Sequence, residues 1–210
     1  MYCVSIGLKD FKNAANIISG YEMAEIRLDL CEFDRRQVKE IFASHNNLIA
    51  TFRKNNRVDY KYRESILKTA IVHGAKWLDL DLESNDNGFI NEMIDFLKDY
   101  NSKLILSIHN YNITPPFHEI EQYITKARNF NPDLIKLVFF STDQKDNDTI
   151  LKLYDKYDNI IAFNMGELGK ITRIKSLELG APFTYVAVDD KNTAPGQMTI
   201  EQIKKYPKSL

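Results

Sequence analysis

The sequence predicts a single-domain α/β protein, a (β/α)8 or TIM barrel spanning residues 1–210. Three observations predict it. Eight short apolar, β-rich segments recur along the chain. Longer segments with helical spacing separate them. Several of the apolar segments carry polar residues at every second position. Alternating strands and helices imply parallel strands, and eight such units favour closure into a barrel. An open, doubly wound sheet is the alternative. Its strands are covered on both faces and read as nearly all apolar, which the polar alternation contradicts.

The elements follow in order. Strand one is Tyr2–Leu8, and strand two is Ala24–Leu30, with Glu25, Arg27 and Asp29 on one face. Asp34 reads as an N-cap opening a helix with Val38, Ile41 and Phe42 on one side. Strand three is Asn47–Arg53. The next helix carries Ile66, Leu67, Ala70 and Ile71, and Gly74 stops it. Strand four, Trp77–Glu83, aligns Asp79, Asp81 and Glu83, and a helix over Asn87–Tyr100 follows. Strand five, Lys103–Tyr111, aligns Ser107 and His109, and Ile120, Tyr123, Ile124 and Ala127 mark another helix. Strand six is Leu134–Phe140, strand seven Asn159–Met165 and strand eight Pro182–Val188; Thr199–Lys205 is left for a last helix. The chain is shorter than the roughly 250 residues typical of this barrel, so its loops are expected to be lean.

Composition narrows the function. Hydrophobic residues make up 44%, charged residues 27%, and the net charge is -1. The charges are mixed along the chain, which argues against nucleic acid or a charged membrane surface as partner. No apolar run reaches membrane-spanning length, and Met1–Leu8 lacks the pattern of a signal peptide. Cys3 and Cys31 lie in apolar runs without metal or CxxC spacing, so reduced thiols of a cytoplasmic protein are expected.

Lys136 is the sharpest chemical signal, because it interrupts the apolar strand Leu134-Ile135-Lys136-Leu137-Val138-Phe139-Phe140. Desolvation favours the neutral amine, and a free amine attacks ketones to form a Schiff base. The bland reading pairs Lys136 with a carboxylate such as Asp79 or Asp81 for stability. His109, at the end of strand five, suits proton transfer at carbon and at a leaving hydroxyl; its bland reading is a bonded core histidine. No second histidine or cysteine stands at ligand spacing beside it, so no metal is expected. Glu25, Arg27 and Asp29 form either a self-satisfied ion network or a hydroxyl-binding row, and Arg53 adds a cation at the same rim or belongs to a solvated loop with Arg57 and Arg63. Met165-Gly166-Glu167-Leu168-Gly169 leads to Arg173, and an arginine near a helix start suits a carboxylate or phosphate. Thr193-Ala194-Pro195-Gly196-Gln197 predicts a turn that presents Thr193 and Gln197.

Taken in order, these motifs resemble the type I 3-dehydroquinate dehydratases over essentially the whole chain. The resemblance rests on Glu25-Ile26-Arg27-Leu28-Asp29, Thr51-Phe52-Arg53, Ser107-Ile108-His109, Lys136, Met165-Gly166 with Arg173, and Ala194-Pro195-Gly196-Gln197. It implies a barrel that uses neither metal nor organic cofactor, a homodimer, and 3-dehydroquinate as small-molecule substrate. It further implies Lys136 as the imine-forming lysine and His109 as acid and base, with a pKa near neutrality. Arg173, Thr193 and Gln197 are then expected at the substrate carboxylate, and Glu25, Arg27 and Arg53 at the ring hydroxyls. The chain departs from the family pattern after strand three, where about Arg57 stands in place of a glutamate; Asp59 is the candidate substitute. Threonine replaces a common serine at Thr193 and keeps the hydroxyl. The competing readings are a class I aldolase-type barrel using the same lysine, and a non-catalytic barrel that binds a small acid.

Overall fold

A computed structural model describes residues 1–55, 58–188 and 193–205. In chain order the elements are β1 Tyr2–Ile6, α1 Phe11–Ile18, β2 Ala24–Arg27, α2 Leu28–Cys31, α3 Arg35–Ala43, β3 Leu48–Thr51, α4 Tyr60–Val72, β4 Trp77–Asp81 and α5 Asn87–Leu97. They continue with β5 Lys103–Asn110, α6 Phe117–Arg128, β6 Leu134–Phe140, α7 Gln144–Leu151, β7 Ile160–Met165, α8 Gly166–Glu178, β8 Thr184–Val186 and α9 Ile200–Lys205. The strands form one parallel sheet in the order β7-β6-β5-β4-β3-β2-β1-β8. This is a nearly closed eight-stranded barrel with the helices outside. The seam between β7 and β8 is filled by Phe163, Phe183 and Tyr185, whose rings meet at 5.5 and 6.3 Å.

Strand alternation sorts the residues into two apolar layers. Ile135, Leu137 and Phe139 of β6 pack outward into the layer under the helices, whereas Leu134 and Val138 face the barrel interior. By parity Lys136, between the last two, points inward. The same count turns Ser5, Glu25, Thr51, Asp79 and Ser107 inward, because Val4, Ile26, Ala50, Leu80 and Leu106 belong to the outer layer.

Local chemistry sets most boundaries as expected. Asp34 caps α3 in a capping box with Gln37. Gly74 follows α4 with φ +105°, a backbone conformation that favours glycine. Three expectations are corrected. Strand two ends at Arg27, and Asp29 lies in the helical turn α2, where it accepts both Arg27 Nε and Nη2 at 3.0 and 2.8 Å. Glu83 is not on an inward row but pairs with Lys126 on the surface at 2.7 Å. Arg63 is no loop residue: it is buried in the first turn of α4, donating to Phe52 O and Asn85 Oδ1. No helix among the described residues is long and apolar enough to cross a membrane.

Candidate active site

One pocket opens at the C-terminal ends of the strands, the usual place for a site in this fold. It holds about 430 Å³ of empty space, part of it open to solvent, which suits a small ligand. Its lining includes all eight residues expected from sequence: Glu25, Arg27, His109 and Lys136 from strands two, five and six, Arg53 from the segment just after β3, which ends at Thr51 and not at Arg53 as expected, and Arg173, Thr193 and Gln197 from the segments after strands seven and eight.

Lys136 is 5% exposed. Its Nζ lies 3.0 Å from Asp79 Oδ2 and 3.7 Å from Glu25 Oε1, so the amine is ion-paired and not isolated in an apolar strand. Asp79 also meets Arg53 Nη1 at 3.0 Å and accepts from Ser107 Oγ at 2.6 Å. Burial pushes the Asp79 carboxyl up, but Arg53 and then Lys136 outweigh it and hold it well below the usual range. Glu25 behaves alike: Lys136 and Arg27 overcome burial. It accepts from Thr51 Oγ1 at 2.9 Å and Ser5 Oγ at 2.5 Å. Arg53 therefore belongs to the site and not to a solvated loop. Its hydrogen bond to Ser107 Oγ is 2.8 Å long.

His109 Nδ1 is 2.8 Å from Asp81 Oδ2. Burial, followed by the charge of Arg53, brings the imidazole down to about 4 against the pull of Asp81. Asp81 is itself held low by the histidine's hydrogen bond, which overcomes burial. An ionised Asp81 only accepts, so Nδ1 carries the hydrogen and Nε2 keeps a free lone pair. The expectation of a pKa near neutrality is corrected: His109 rests as a neutral base. Asp59 is corrected too. It is exposed and caps α4 by accepting from Tyr62 N at 3.1 Å, far too committed locally to replace a glutamate. Arg57 lies outside the described residues, as do 189–192 in the segment before Thr193.

These shifts make the fold acid-sensitive. The folded chain holds His109 below its ordinary 6.5, so the unfolded chain takes the proton first as pH falls. Stability is expected to drop by roughly 3 kcal/mol between pH 6.5 and 4. The contribution of Glu25, Asp79 and Asp81, all held low, is present above their unfolded values and is lost as pH falls through the folded ones. Urea unfolding at pH 7.5, 5.5 and 4.5 checks this; equal stability at all three would contradict the neutral imidazole.

Arg173 is 1% exposed, and its Nε and Nη2 have no hydrogen-bond partner among the described residues. Burial alone brings its guanidinium down to about 9. It sits in the middle of α8, whereas the sequence placed it near the helix start. A buried guanidinium is costly unless its donors find acceptors. Gln197 Oε1 accepts from Thr193 N at 2.9 Å, and Thr193 Oγ1 lies 2.8 Å from Ser5 Oγ. The loop is seated by backbone contact. Gly196, at φ +68°, lies so close to Gly166 that a Cβ would fall 2.6 Å from its carbonyl oxygen.

Sequence reasoning did not single out Ser5, Tyr111 and Tyr185. Ser5 had a signal, being the polar member of an inward row with Cys3 on strand one. Tyr111 stacks on His109 with centroids 6.0 Å apart, and a tyrosine in that position reads only as a strand end.

Fold and site define a (β/α)8-barrel enzyme with a buried lysine, a neutral imidazole and a buried arginine in one mouth. The chain belongs to the type I 3-dehydroquinase family, whose model matches residues 2–209. A 3-dehydroquinate dehydratase of Pyrococcus abyssi is 31% identical over 198 residues, covering 91% of this chain and 89% of that protein. Another, of Methanococcus vannielii, is 33% identical over 192 residues, covering 88% and 86%. Among solved structures, the type I 3-dehydroquinate dehydratase of Clostridium difficile with covalent modified comenic acid matches with a TM-score of 0.84 at 24% identity, over 97% of this chain and 89% of that one. That likeness shows the fold.

Proposed function

We propose that this chain is a 3-dehydroquinate dehydratase, a hydro-lyase of the shikimate pathway, that works through an imine on Lys136. The observation carrying the proposal is the convergence in one pocket of Lys136, a neutral His109 and Arg173, whose Nε and Nη2 have no hydrogen-bond partner among the described residues. A buried guanidinium with open donors among the described residues suits a carboxylate, and Gln197 and Thr193 stand beside it in the lining. Glu25, Arg27 and Arg53 form the polar rim that faces the ring hydroxyls.

The ion-paired Lys136 ammonium gives up one proton, and the resulting amine attacks the substrate ketone. A carbon–nitrogen bond forms, and the carbonyl oxygen leaves as water carrying that proton and one from the attacking nitrogen, giving a protonated imine. This cation acidifies the adjacent carbon–hydrogen bond. His109 Nε2 takes that proton, and the bonding pair becomes the enamine double bond. The enamine pair then expels the hydroxyl, which takes the proton back from His109 and leaves as water. A final water hydrolyses the conjugated imine, freeing 3-dehydroshikimate and Lys136. An imidazolium whose pKa is about 4 is a strong acid for the second transfer.

Asp81 takes the orienting role that a glutamate at the position of Arg57 would have filled. Its ionised carboxylate fixes the Nδ1–H tautomer. Asp81→Asn is expected to lower kcat about 100-fold with KM within about threefold, since the group acts on proton transfer and not on binding. Steady-state kinetics check this, and a rise in KM alone would contradict it. In the wild type, kcat/KM is expected to stay level from pH 8 to about 5 and to fall through about 4 as His109 gains its proton. An acid limb centred at 6.5 would contradict the assignment.

The activity is tested by mixing the purified chain with 3-dehydroquinate and following the absorbance of the conjugated enone acid. No rise in absorbance would refute it. The family also carries a homodimer and a cytoplasmic location. Two unpaired, buried cysteines suit a reducing compartment, and sedimentation equilibrium tests the dimer.

A further inference from the structure

The two principal cations of the pocket rest on one aromatic cluster. Lys136 Nζ lies 3.9 Å from the centroid of the Tyr185 ring, and the Arg173 guanidinium carbon lies 4.2 Å from that of Phe163. The two rings touch each other, with centroids 6.3 Å apart. They come from β7 and β8, the strands at the two ends of the hydrogen-bonded order. Phe183 backs Tyr185 edge-on at 5.5 Å.

Filling the seam explains why these residues are aromatic, but not the placement of each ring under a different cation. The hydroxyl of Tyr185 gives no alternative reason for a tyrosine there. It is buried, and it has no hydrogen-bond partner among the described residues, which is a destabilising arrangement. The ring face is the part of Tyr185 that meets the site.

We infer that Phe163 and Tyr185 form a divided aromatic wall, in which Tyr185 positions Lys136 and its iminium while Phe163 positions Arg173 for the substrate carboxylate. The lysine half rests on the proposed imine. Forming that imine replaces an ammonium with three N–H donors by an iminium with one. Contacts to Asp79 and Glu25 lose donors in that step. A π face attracts the positive charge itself and needs no N–H, so the Tyr185 contact persists through the reaction. The two rings therefore serve different steps: Tyr185 the covalent chemistry, Phe163 the capture of substrate.

Methionine keeps most of the volume at each position and removes the π face. The test measures kcat, KM, the melting temperature and the rate at which borohydride traps the 3-dehydroquinate imine in Tyr185→Phe, Tyr185→Met and Phe163→Met. Tyr185→Phe is expected to trap within about twofold of wild type and to melt no lower, because only an unpartnered hydroxyl is lost. Tyr185→Met is expected to slow trapping and kcat about tenfold with KM nearly unchanged, and Phe163→Met to raise KM about tenfold with kcat nearly unchanged. Trapping at the wild-type rate in Tyr185→Met would overturn the inference. So would equal losses of kcat and affinity in both methionine variants with lowered melting, the mark of plain seam filling. A wild-type chain that turns over but is never trapped would instead refute the imine itself, and with it the lysine half alone; the KM effect of Phe163→Met stands or falls separately.

Discussion

Lys136→Arg is expected to abolish turnover, by on the order of 10⁴-fold or more, while the chain stays folded. The choice of arginine separates the two readings of this residue. Lys136 is both a candidate nucleophile and the ion-pair partner of Asp79 and Glu25. Removing the cation outright leaves those buried carboxylates short of a partner, which costs about 3–5 kcal/mol in such settings. Lys136→Ala therefore mixes lost chemistry with lost stability, though Arg53 still pairs with Asp79. Arginine restores a cation but has no amine able to form an imine. If Lys136 were only structural, the arginine variant would keep substantial activity. Circular dichroism and a melting curve confirm the fold, and a coupled assay for 3-dehydroshikimate reads the activity.

Arg173→Met is expected to move stability and function in opposite directions. The protein holds this guanidinium almost fully buried, with two of its nitrogens unpartnered among the described residues. Its contact with the Phe163 ring offsets only part of the lost hydration. A methionine of similar length removes that burden, and the chain is expected to gain about 1–3 kcal/mol. The substrate carboxylate then loses its charged partner, a loss worth about 2–5 kcal/mol in buried pairs. KM is expected to rise about 100-fold or more, with a smaller change in kcat. Urea titrations and steady-state kinetics on the same preparation measure both. A variant that is less stable than wild type, or one with unchanged KM, would contradict the assignment of Arg173 as the carboxylate anchor. Such opposition is the usual mark of a residue retained for binding.

The barrel was legible because its strands are simple. β6 begins and ends where the apolar run does, since every second residue packs under helices and the rest fill the interior. β8 is shorter than its apolar segment suggests: Thr184–Val186, against Pro182–Val188. Strand two ended early for a reason local to two side chains. Asp29 folds back on Arg27 as a bidentate acceptor, and the backbone between them turns helical. Alternation alone cannot register such a bend, because it counts parity and not hydrogen bonds.

Within the site, parity found the charged residues, since a charge inside an apolar strand has no bland surface explanation. It did not find Ser5 or Tyr185. A serine among small residues and an aromatic among aromatics both read as packing. The partner of His109 is visible in the sequence as Asp81 in an inward row, but nothing there links the two, and Asp59 stands only as the candidate substitute for the glutamate after strand three. The structure spends Asp59 on a helix cap and brings Asp81 alongside by the pairing of β4 with β5, which sets Asp81 opposite Ser107. The acidity of His109 is likewise beyond sequence, because it depends on burial and on Arg53 from the segment after β3.

The most direct test is to reduce a mixture of the purified chain and 3-dehydroquinate with borohydride, digest it, and map the modified peptide by mass spectrometry. A stable secondary amine is expected at Lys136, absent without substrate and absent in Lys136→Arg. Stoichiometric modification of some other lysine, or an unmodified chain that still releases 3-dehydroshikimate, would contradict it.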